Sequence, residues 1–258
     1  MTRQSLLSDL ISLSNRLGDP ALDYAILAEG NTSVRVNDET FLIKASGACL
    51  QSAGAPQFVE VRFRPILDLL QKGSLSDAEV RTALEEAMVV RRPGVVPSVE
   101  ALLHAICLQL PEVSFVGHTH PTSINMLTCS RLFEESLSGR IFPDEIVLCG
   151  PASILVPYVD PGLPLARRIA DGIADYRAKW MESPRVIYMQ NHGFIALGSS
   201  AKQILDVTAM AVKSARIRVG ALAAGGLRLL SDADVRRLHT RPDEHHRQRI
   251  LGLRSAGT

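Results

Sequence analysis

The sequence lacks the features that mark a nucleic-acid binder or a membrane protein. Its 258 residues include 28 Lys and Arg against 27 Asp and Glu, which gives a net charge of +1. A charge balance this even does not suggest a dedicated nucleic-acid binder. No run of 18 uninterrupted apolar residues occurs, so no membrane span is expected. The hydrophobic fraction of 46% and the charged fraction of 21% instead predict a globular protein with a substantial core.

The sequence also lacks paired cysteines and a leader-like segment. None of its four cysteines forms a CxxC pair, so neither a cysteine-based zinc site nor a dithiol redox motif is expected. The first nine residues carry Arg3 and Asp9 and no long apolar stretch, unlike a secretory signal. These absences favour a cytoplasmic protein with four reduced thiols.

The apolar and turn-forming residues predict one domain in which helices and strands alternate. Helical spacing of apolar residues predicts helices near residues 6–17, 97–110, 122–132, 165–180 and 201–223. Short apolar or alternating runs predict strands at 32–36, 40–43, 113–116, 145–148, 185–189 and 194–197. Residues 58–73 and 76–90 are interpreted as mixed polar and helical connections. No internal repeat or clear linker interrupts the chain, so we expect a single layered α/β or α+β domain over residues 1–258.

The strongest local signal is the sequence His118-Thr119-His120, which follows a predicted strand. Because side chains two residues apart on a strand point to the same side, both imidazoles would project from one face at the end of that strand. Two neutral imidazoles on one rigid element supply half of a transition-metal site. The alternative is a pair of hydrogen-bonded histidines without a metal, and the motif alone does not separate the two.

Two further residues could complete such a site. His192 and Gly193 lie in a turn between two predicted strands, and a loop of this kind can carry a side chain into a cleft. Three histidines would leave one position on a zinc ion for substrate or water. Glu100 falls in the first turn of a predicted helix and could act as a ligand or a general base. Taken alone, it has a plainer interpretation as a carboxylate that interacts with the helix dipole or pairs with His104.

Two small polar turns could bind an anion. Residues 30–33 read Gly-Asn-Thr-Ser and residues 44–47 read Lys-Ala-Ser-Gly. Hydroxyl groups, an amide, exposed backbone N–H groups and one lysine are suited to cradle an anion. Neither turn has the spacing of a phosphate-binding Walker loop or a dinucleotide-binding fingerprint, and a purely structural role remains the alternative for each.

Taken in chain order, five segments resemble the class II aldolase and adducin-head family. They are Gly30-Asn31-Thr32-Ser33, Lys44-Ala45-Ser46-Gly47, Pro97-Ser98-Val99-Glu100, His118-Thr119-His120-Pro121 and Gln190-Asn191-His192-Gly193. The match covers roughly residues 5–225 and leaves a charged C-terminal segment of about 226–258. The resemblance implies a three-layer α/β/α sandwich with a central, largely antiparallel sheet. It also implies a homotetramer with its active sites near subunit interfaces.

The resemblance assigns roles to individual residues. It implies a zinc ion held by His118, His120 and His192, with another divalent transition metal as the alternative, and proton transfer by Glu100. It places the substrate phosphate on residues of the two turns and of the Pro-Ser-Val-Glu segment, namely Asn31, Ser46, Gly47 and Ser98. The distal tyrosine acid of the family has no clear counterpart, and Tyr158 is one candidate.

Two departures from the family pattern bear on substrate recognition. Val99 stands where many sugar-phosphate aldolases have a second hydroxyl, and the turn at Lys44-Ala45 differs from the usual Thr-Pro. A lysine is a compact charge suited to one anionic group, so we hypothesise that Lys44 restores part of the anion affinity. The plainer alternative is that Lys44 ends a strand and points to solvent.

The resemblance implies a metal-dependent aldolase that cleaves a ketose or ketose phosphate through a metal-stabilised enediolate. Epimerisation of a ketopentose phosphate and decarboxylation of a sugar acid are sibling reactions, and the ligand residues do not separate the three. Family decarboxylases tend to carry a lysine where this chain has Val99, which weakly disfavours them. A non-catalytic adducin-like interaction module is a further interpretation, but such modules lose metal ligands that this chain keeps. The expected partners are a small sugar or sugar phosphate and other copies of the chain, without nucleic acid or membrane.

Overall fold

The computed structural model describes residues 1–73 and 75–250, so residues 251–258 of the predicted charged C-terminal segment lie outside the described part. Its helices and strands follow in the order α1 (Arg3–Leu17), β1 (Asn31–Arg35), β2 (Thr40–Lys44), β3 (Phe58–Arg62), α2 (Phe63–Leu70), α3 (Asp77–Ala87), α4 (Ala101–Leu108), β4 (Phe115–Thr119), α5 (Thr122–Thr128), α6 (Phe133–Leu137), α7 (Pro143–Cys149), β5 (Ile154–Val156), α8 (Leu163–Trp180), β6 (Val186–Met189), β7 (Gly193–Gly198), α9 (Ala201–Ala223), α10 (Asp232–His239) and α11 (Pro242–Ile250). A short 3-10 helix, Ala55–Gln57, precedes β3. Within the described ranges, no helix combines the length and the apolar character that crossing a bilayer would need.

Strands of the described residues form one sheet in the order β3-β2-β1-β4-β7-β6-β5. Neighbouring strands run antiparallel, except that β5 and β6 are parallel. The largely antiparallel character predicted for the sheet is therefore confirmed. Strand β4 lies in the middle, where Asn31 of β1 stands opposite His118 and His118 stands opposite Ile195 of β7. This register places the Gly-Asn-Thr-Ser segment beside the His-Thr-His segment.

Helices cover both faces of the sheet, as the three-layer prediction requires. Along β7, Ile195 and Leu197 enter one buried apolar cluster, while Phe194 and Ala196 enter another. This alternation is the period of two that a strand imposes on its side chains. The first cluster contains side chains of α2, α3, α4 and α8. The second contains side chains of α1, α5, α6, α7 and α9, so the sheet is the middle layer of an α/β/α sandwich.

The strand predicted at residues 145–148 is wrong, because these residues lie in helix α7. A short apolar run does not by itself distinguish a buried strand from a buried helix. Pro143 stands at the start of α7, with Asp144 and Glu145 in its first turn, and these residue types are favoured at helix N-termini. The buried Glu145 carboxylate accepts a hydrogen bond from Arg218 Nη2 at 3.0 Å, which joins α7 to α9.

Other predicted boundaries shift by a few residues, and two strands are absent from the predictions. The strand expected at 113–116 spans Phe115–Thr119 instead, so it includes the first histidine of the His-Thr-His segment. Strand β3 occupies the start of the 58–73 segment, whose later part forms α2. Strand β5 has three residues and lies in a stretch rich in proline, where the sequence pattern is too short to indicate it.

Candidate active site

Three histidine side chains converge at the middle of the sheet. His118 lies near the end of β4, His120 directly follows that strand, and His192 lies in the turn between β6 and β7. One ring nitrogen from each histidine lies within 4.8 Å of the others, and Nε2 of His118 is 2.9 Å from Nε2 of His120. The fold therefore brings together the three residues predicted as metal ligands.

Contacts behind the rings orient two of these histidines. His118 Nδ1 donates to the carbonyl oxygen of Phe194 at 2.9 Å, which leaves Nε2 of the neutral ring without a proton and directed at the other rings. His120 Nδ1 faces Glu29 Oε1 at 3.7 Å, and Glu29 Oε2 accepts from the backbone N–H of Ile26 at 3.0 Å. Such outer contacts to a carbonyl or a carboxylate are typical of histidines that ligate metals.

Burial keeps the His120 imidazole neutral. Burial, followed by the neighbouring His118 and His192, lowers the pKa of His120 to about 3. A neutral imidazole is the form that binds a metal ion. Burial alone would also lower the pKa of His118, but the nearby Glu100 carboxylate raises it, and the net pKa lies above its ordinary value. The electrostatics of the cluster thus depend on Glu100.

Two glycines permit the close packing around the histidines. A Cβ atom on Gly193 would lie 2.6 Å from Cδ2 of His120 and 2.8 Å from the carbonyl oxygen of Thr119. Gly30 has φ +66°, and a Cβ atom there would lie 2.5 Å from the carbonyl oxygen of His118. Neither position has room for a larger residue, which explains the glycine in the Gly-Asn-Thr-Ser and Gln-Asn-His-Gly segments.

Glu100 directs its carboxylate into the histidine cluster. The residue immediately precedes α4, and its side chain does not cap that helix. Oε1 lies 3.1 Å from His192 Nε2 and 3.4 Å from His118 Nε2. Burial raises the pKa of Glu100, but His118 and His192 together lower it by more, so the net pKa is well below the ordinary value. An ionised carboxylate therefore lies against the predicted metal ligands.

Asn31 connects Glu100 to His104, a histidine whose partners the sequence does not reveal. Nδ2 of Asn31 donates to Glu100 Oε2 at 2.5 Å and to Ser98 Oγ at 3.3 Å. Its Oδ1 contacts Nε2 of His104, and Nδ1 of His104 lies 2.6 Å from Ser33 Oγ. The i, i+4 spacing to Glu100 drew attention to His104, but the ring turns to β1 rather than to the glutamate.

The Lys-Ala-Ser-Gly turn meets the Pro-Ser-Val-Glu segment beside Glu100. Ala45 and Pro97 form a bridge, and the backbone N–H of Ser46 donates to the carbonyl of Val96 at 2.9 Å. Ser46 and Gly47 are exposed, and Gly47 has φ +75°. The buried Ser98 hydroxyl instead accepts from the backbone N–H of Glu100 at 3.3 Å. The turn residues thus face solvent, while Ser98 belongs to the hydrogen-bond network around Glu100.

Lys44 does not point to solvent, so the plainer alternative for this residue is wrong. Its side chain is 2% exposed, and Nζ donates to the backbone carbonyls of Ala28 and Ala48. Burial lowers the pKa of Lys44, while Cys49 and Glu100 raise it by less. Two of the three ammonium donors are therefore directed at the loop before β1 and the loop after β2.

Comparison with known proteins defines the family. The family described as the class II aldolase and adducin N-terminal domain matches residues 8–219, and the chain belongs to this family, whose aldolase members depend on divalent metals. An L-fuculose 1-phosphate aldolase of known structure superposes with a TM-score of 0.70 at 18% identity, over 93% of this chain and 96% of that one. At this identity the likeness concerns the fold alone.

Two proteins with similar sequences have different names, and this chain covers very different shares of their lengths. An uncharacterized oxidoreductase, YuxG of Bacillus subtilis, is 28% identical over 195 residues, which are 72% of this chain and 26% of that protein. This chain thus spans about a quarter of that relative. A 3-oxo-tetronate 4-phosphate decarboxylase of Haemophilus influenzae is 25% identical over 219 residues, which are 84% of this chain and 89% of the relative.

Proposed function

We propose that this protein is a metal-dependent carbon–carbon lyase that cleaves a ketose or ketose phosphate by a retro-aldol reaction. The observation that carries the proposal is the Glu100 carboxylate, 3.1 Å from His192 and 3.4 Å from His118. An ionised carboxylate beside three converging imidazoles supplies a proton-transfer group and a candidate metal site together. The family membership of the chain supports the same chemistry.

The donor set fits a divalent transition metal. A tetrahedral zinc ion with Zn–N distances of about 2.0–2.1 Å holds its nitrogens about 3.4 Å apart, and the ring nitrogens here lie within 4.8 Å of one another. His118, His120 and His192 would hold the ion, and we propose zinc, although three nitrogens also suit cobalt, nickel or manganese. When bound, the ion supplies positive charge that stabilises negative charge developing on substrate oxygens.

Glu100 is placed to move the proton that the reaction requires. Retro-aldol cleavage leaves an enediolate, whose carbon must gain a proton before the ketone product leaves. In the condensation direction the same carbon loses a proton, and an ionised carboxylate is the form that accepts it. In the cleavage direction the substrate hydroxyl gives up its proton as the aldehyde forms. Glu100, protonated from it by way of solvent, returns one proton to the enediolate carbon, because the two directions share one transition state.

The turn residues and Lys44 are proposed to hold an anionic group of the substrate. Ser46 and Gly47 offer an exposed hydroxyl and backbone next to the Glu100 segment. Asn31 and Ser98 already hydrogen-bond within the site, so they bind substrate only if Glu100 yields one of its contacts. Lys44 contributes a buried charge to the same region.

Decarboxylation of a sugar acid is the second candidate. The relative that this chain matches over 89% of its length is named a 3-oxo-tetronate 4-phosphate decarboxylase. Loss of carbon dioxide from a 3-oxo acid leaves an enediolate of the same kind, which Glu100 would protonate in the same way. Val99, next to Glu100, weighs weakly against this candidate, because family decarboxylases tend to carry a lysine at that position.

One assay separates the candidates. The purified protein, loaded with zinc, is incubated with a panel of ketose phosphates, unphosphorylated ketoses and 3-oxo sugar acid phosphates, and proton NMR follows the products. Release of an aldehyde supports the aldolase, release of carbon dioxide supports the decarboxylase, and an inverted stereocentre without cleavage indicates an epimerase. No turnover of any compound by protein that holds metal would contradict the lyase proposal.

We further propose that the protein assembles as a homotetramer in the cytoplasm. Only the family resemblance supports the tetramer. Light scattering coupled to size-exclusion chromatography should then give roughly four times the chain mass of 28.0 kDa. A monomeric mass for active protein would contradict this part of the proposal.

A further inference from the structure

His104 is a buried titratable group that the proposed reaction does not use. Its ring is fully buried on α4, facing β1. Burial, followed by the charge of His118, lowers the pKa of His104 to about 3, so the ring is neutral and carries one N–H donor and one acceptor nitrogen. Both nitrogens have partners, Ser33 Oγ at 2.6 Å from Nδ1 and Asn31 Oδ1 at Nε2.

The hydrogen bonds around Asn31 fix which nitrogen of His104 carries the proton. The Asn31 amide places its NH₂ group against Glu100 Oε2 and Ser98 Oγ, because a carboxylate can only accept there. The opposite end of the amide, Oδ1, also only accepts, so Nε2 of His104 must donate. Nδ1 is then the acceptor, and the Ser33 hydroxyl donates to it. The chain of donors runs from Ser33 through His104 and Asn31 to Glu100.

We propose that His104 is a positioning residue, which holds the Asn31 amide in the one orientation that donates to Glu100 and thereby fixes the carboxylate beside the histidine cluster. The proposal rests on the proposed function insofar as it concerns turnover. Without the His104 N–H, Oδ1 of Asn31 loses its donor, and the amide can swing away from the carboxylate. Glu100 Oε2 would then lose the Asn31 donor that lies 2.5 Å away, and the carboxylate would no longer be held in one direction.

A merely structural histidine would behave differently from a positioning one. His104→Leu fills part of the same space but cannot donate to Asn31. His104→Gln can donate through its amide N–H and accept from Ser33 through its amide oxygen, so it should rescue the function that leucine loses. Cys107→Ala is the matched control, because Cys107 is a fully buried residue of the same helix and takes no part in the network around Asn31.

The first readout does not require activity. In the wild-type protein, NMR should detect His104 as the Nε2–H tautomer and the Asn31 side-chain amide as slowly exchanging with solvent. His104→Leu should speed exchange of the Asn31 amide at least tenfold, while His104→Gln and Cys107→Ala should not. An Nδ1–H tautomer, or an Asn31 amide whose exchange is unchanged in His104→Leu, would overturn the proposal. If His104→Leu does not fold, His104→Met replaces it, because methionine also lacks a donor for Asn31 and its flexible side chain adapts to the same space, and the same faster exchange of the Asn31 amide is expected.

The second readout is the split between kcat and KM on whichever substrate the zinc-loaded protein turns over. His104→Leu should lower kcat about tenfold to a hundredfold, the scale of a misplaced catalytic group, with KM changed by less than about threefold, and His104→Gln should recover most of the loss. An unchanged kcat in folded, metal-loaded His104→Leu would refute the positioning role. A wild-type protein that shows the expected NMR behaviour but turns over none of the panel would count against the proposed function and not against the hydrogen-bond chain.

Discussion

Replacing Glu100 by glutamine should abolish most turnover while leaving the metal in place. Glutamine keeps the shape of the side chain, and its oxygen can still accept from Asn31, which lies 2.5 Å from the carboxylate. The neutral amide cannot take up the proton that the reaction moves. Loss of a general acid or base lowers the rate by about 10²–10⁴, so the activation barrier should rise by about 2.7–5.4 kcal/mol. The metal should remain, because His118, His120 and His192 are unchanged.

The assay compares kcat and metal content in Glu100→Gln and in a matched carboxylate variant. Glu135→Gln is the control, because Glu135 likewise lies at the N-terminal end of a helix but is exposed on α6. If Glu100 were only a helix-end carboxylate, the two variants would behave alike. Metal-loaded Glu100→Gln with turnover within about threefold of wild type would refute the argument, and loss of metal from this variant would show instead that Glu100 is a required ligand.

Four further predictions follow from the same contacts. His192→Ala should release most of the bound metal in elemental analysis, whereas His239→Ala, whose ring pairs with a carboxylate outside the site, should retain it. Glu29→Ala should weaken zinc binding about 10–100-fold in a competition titration, because His120 loses its outer partner; unchanged affinity would show that the 3.7 Å contact has no role. Lys44→Met should raise KM for a phosphorylated substrate about tenfold to a hundredfold, and an unchanged KM would exclude an anion site at Lys44. Finally, the pKa of His104 is lowered from 6.5 to about 3 in the folded protein, so unfolding takes up a proton below pH 6.5 and stability is lost as the pH falls. Urea unfolding of metal-free protein between pH 6.5 and 5 should therefore show a pH slope that is shallower in His104→Gln by up to about 1.4 kcal/mol per pH unit, and equal slopes would contradict a neutral buried His104.

The parts of the site that sequence reasoning predicts are those carried by short-range geometry. His118 and His120 fall on one side of the chain because a strand has a period of two, and the turn at His192 is indicated by the glycine that follows it. The five family segments also have specific residue types in a fixed order, which is why the sandwich fold could be expected. Short segments fail for a complementary reason, since the three apolar residues at 146–148 fit a helix and a strand equally well.

Contacts between distant parts of the chain are what the sequence does not reveal. His104 contacts Asn31 across 73 positions of sequence, and its spacing to Glu100 on the helix suggests a different partner. Glu29 appears in the sequence only as part of a turn, because its approach to His120 depends on how the loop before β1 folds over the end of β4. Lys44 likewise has a strand-end pattern, and its burial follows from carbonyl groups contributed by two loops.

The measurement that tests the central claim most directly is the metal content of untagged protein together with its metal-dependent turnover. Three converging imidazoles beside Glu100 predict about one divalent ion per chain, loss of substrate cleavage on chelation, and recovery when zinc is added back. His192→Ala, measured alongside, should hold little metal and show no recovery. Full cleavage activity in protein stripped of metal, or one tightly bound ion per chain in His192→Ala, would contradict the assignment of His118, His120 and His192 as the metal ligands of a lyase.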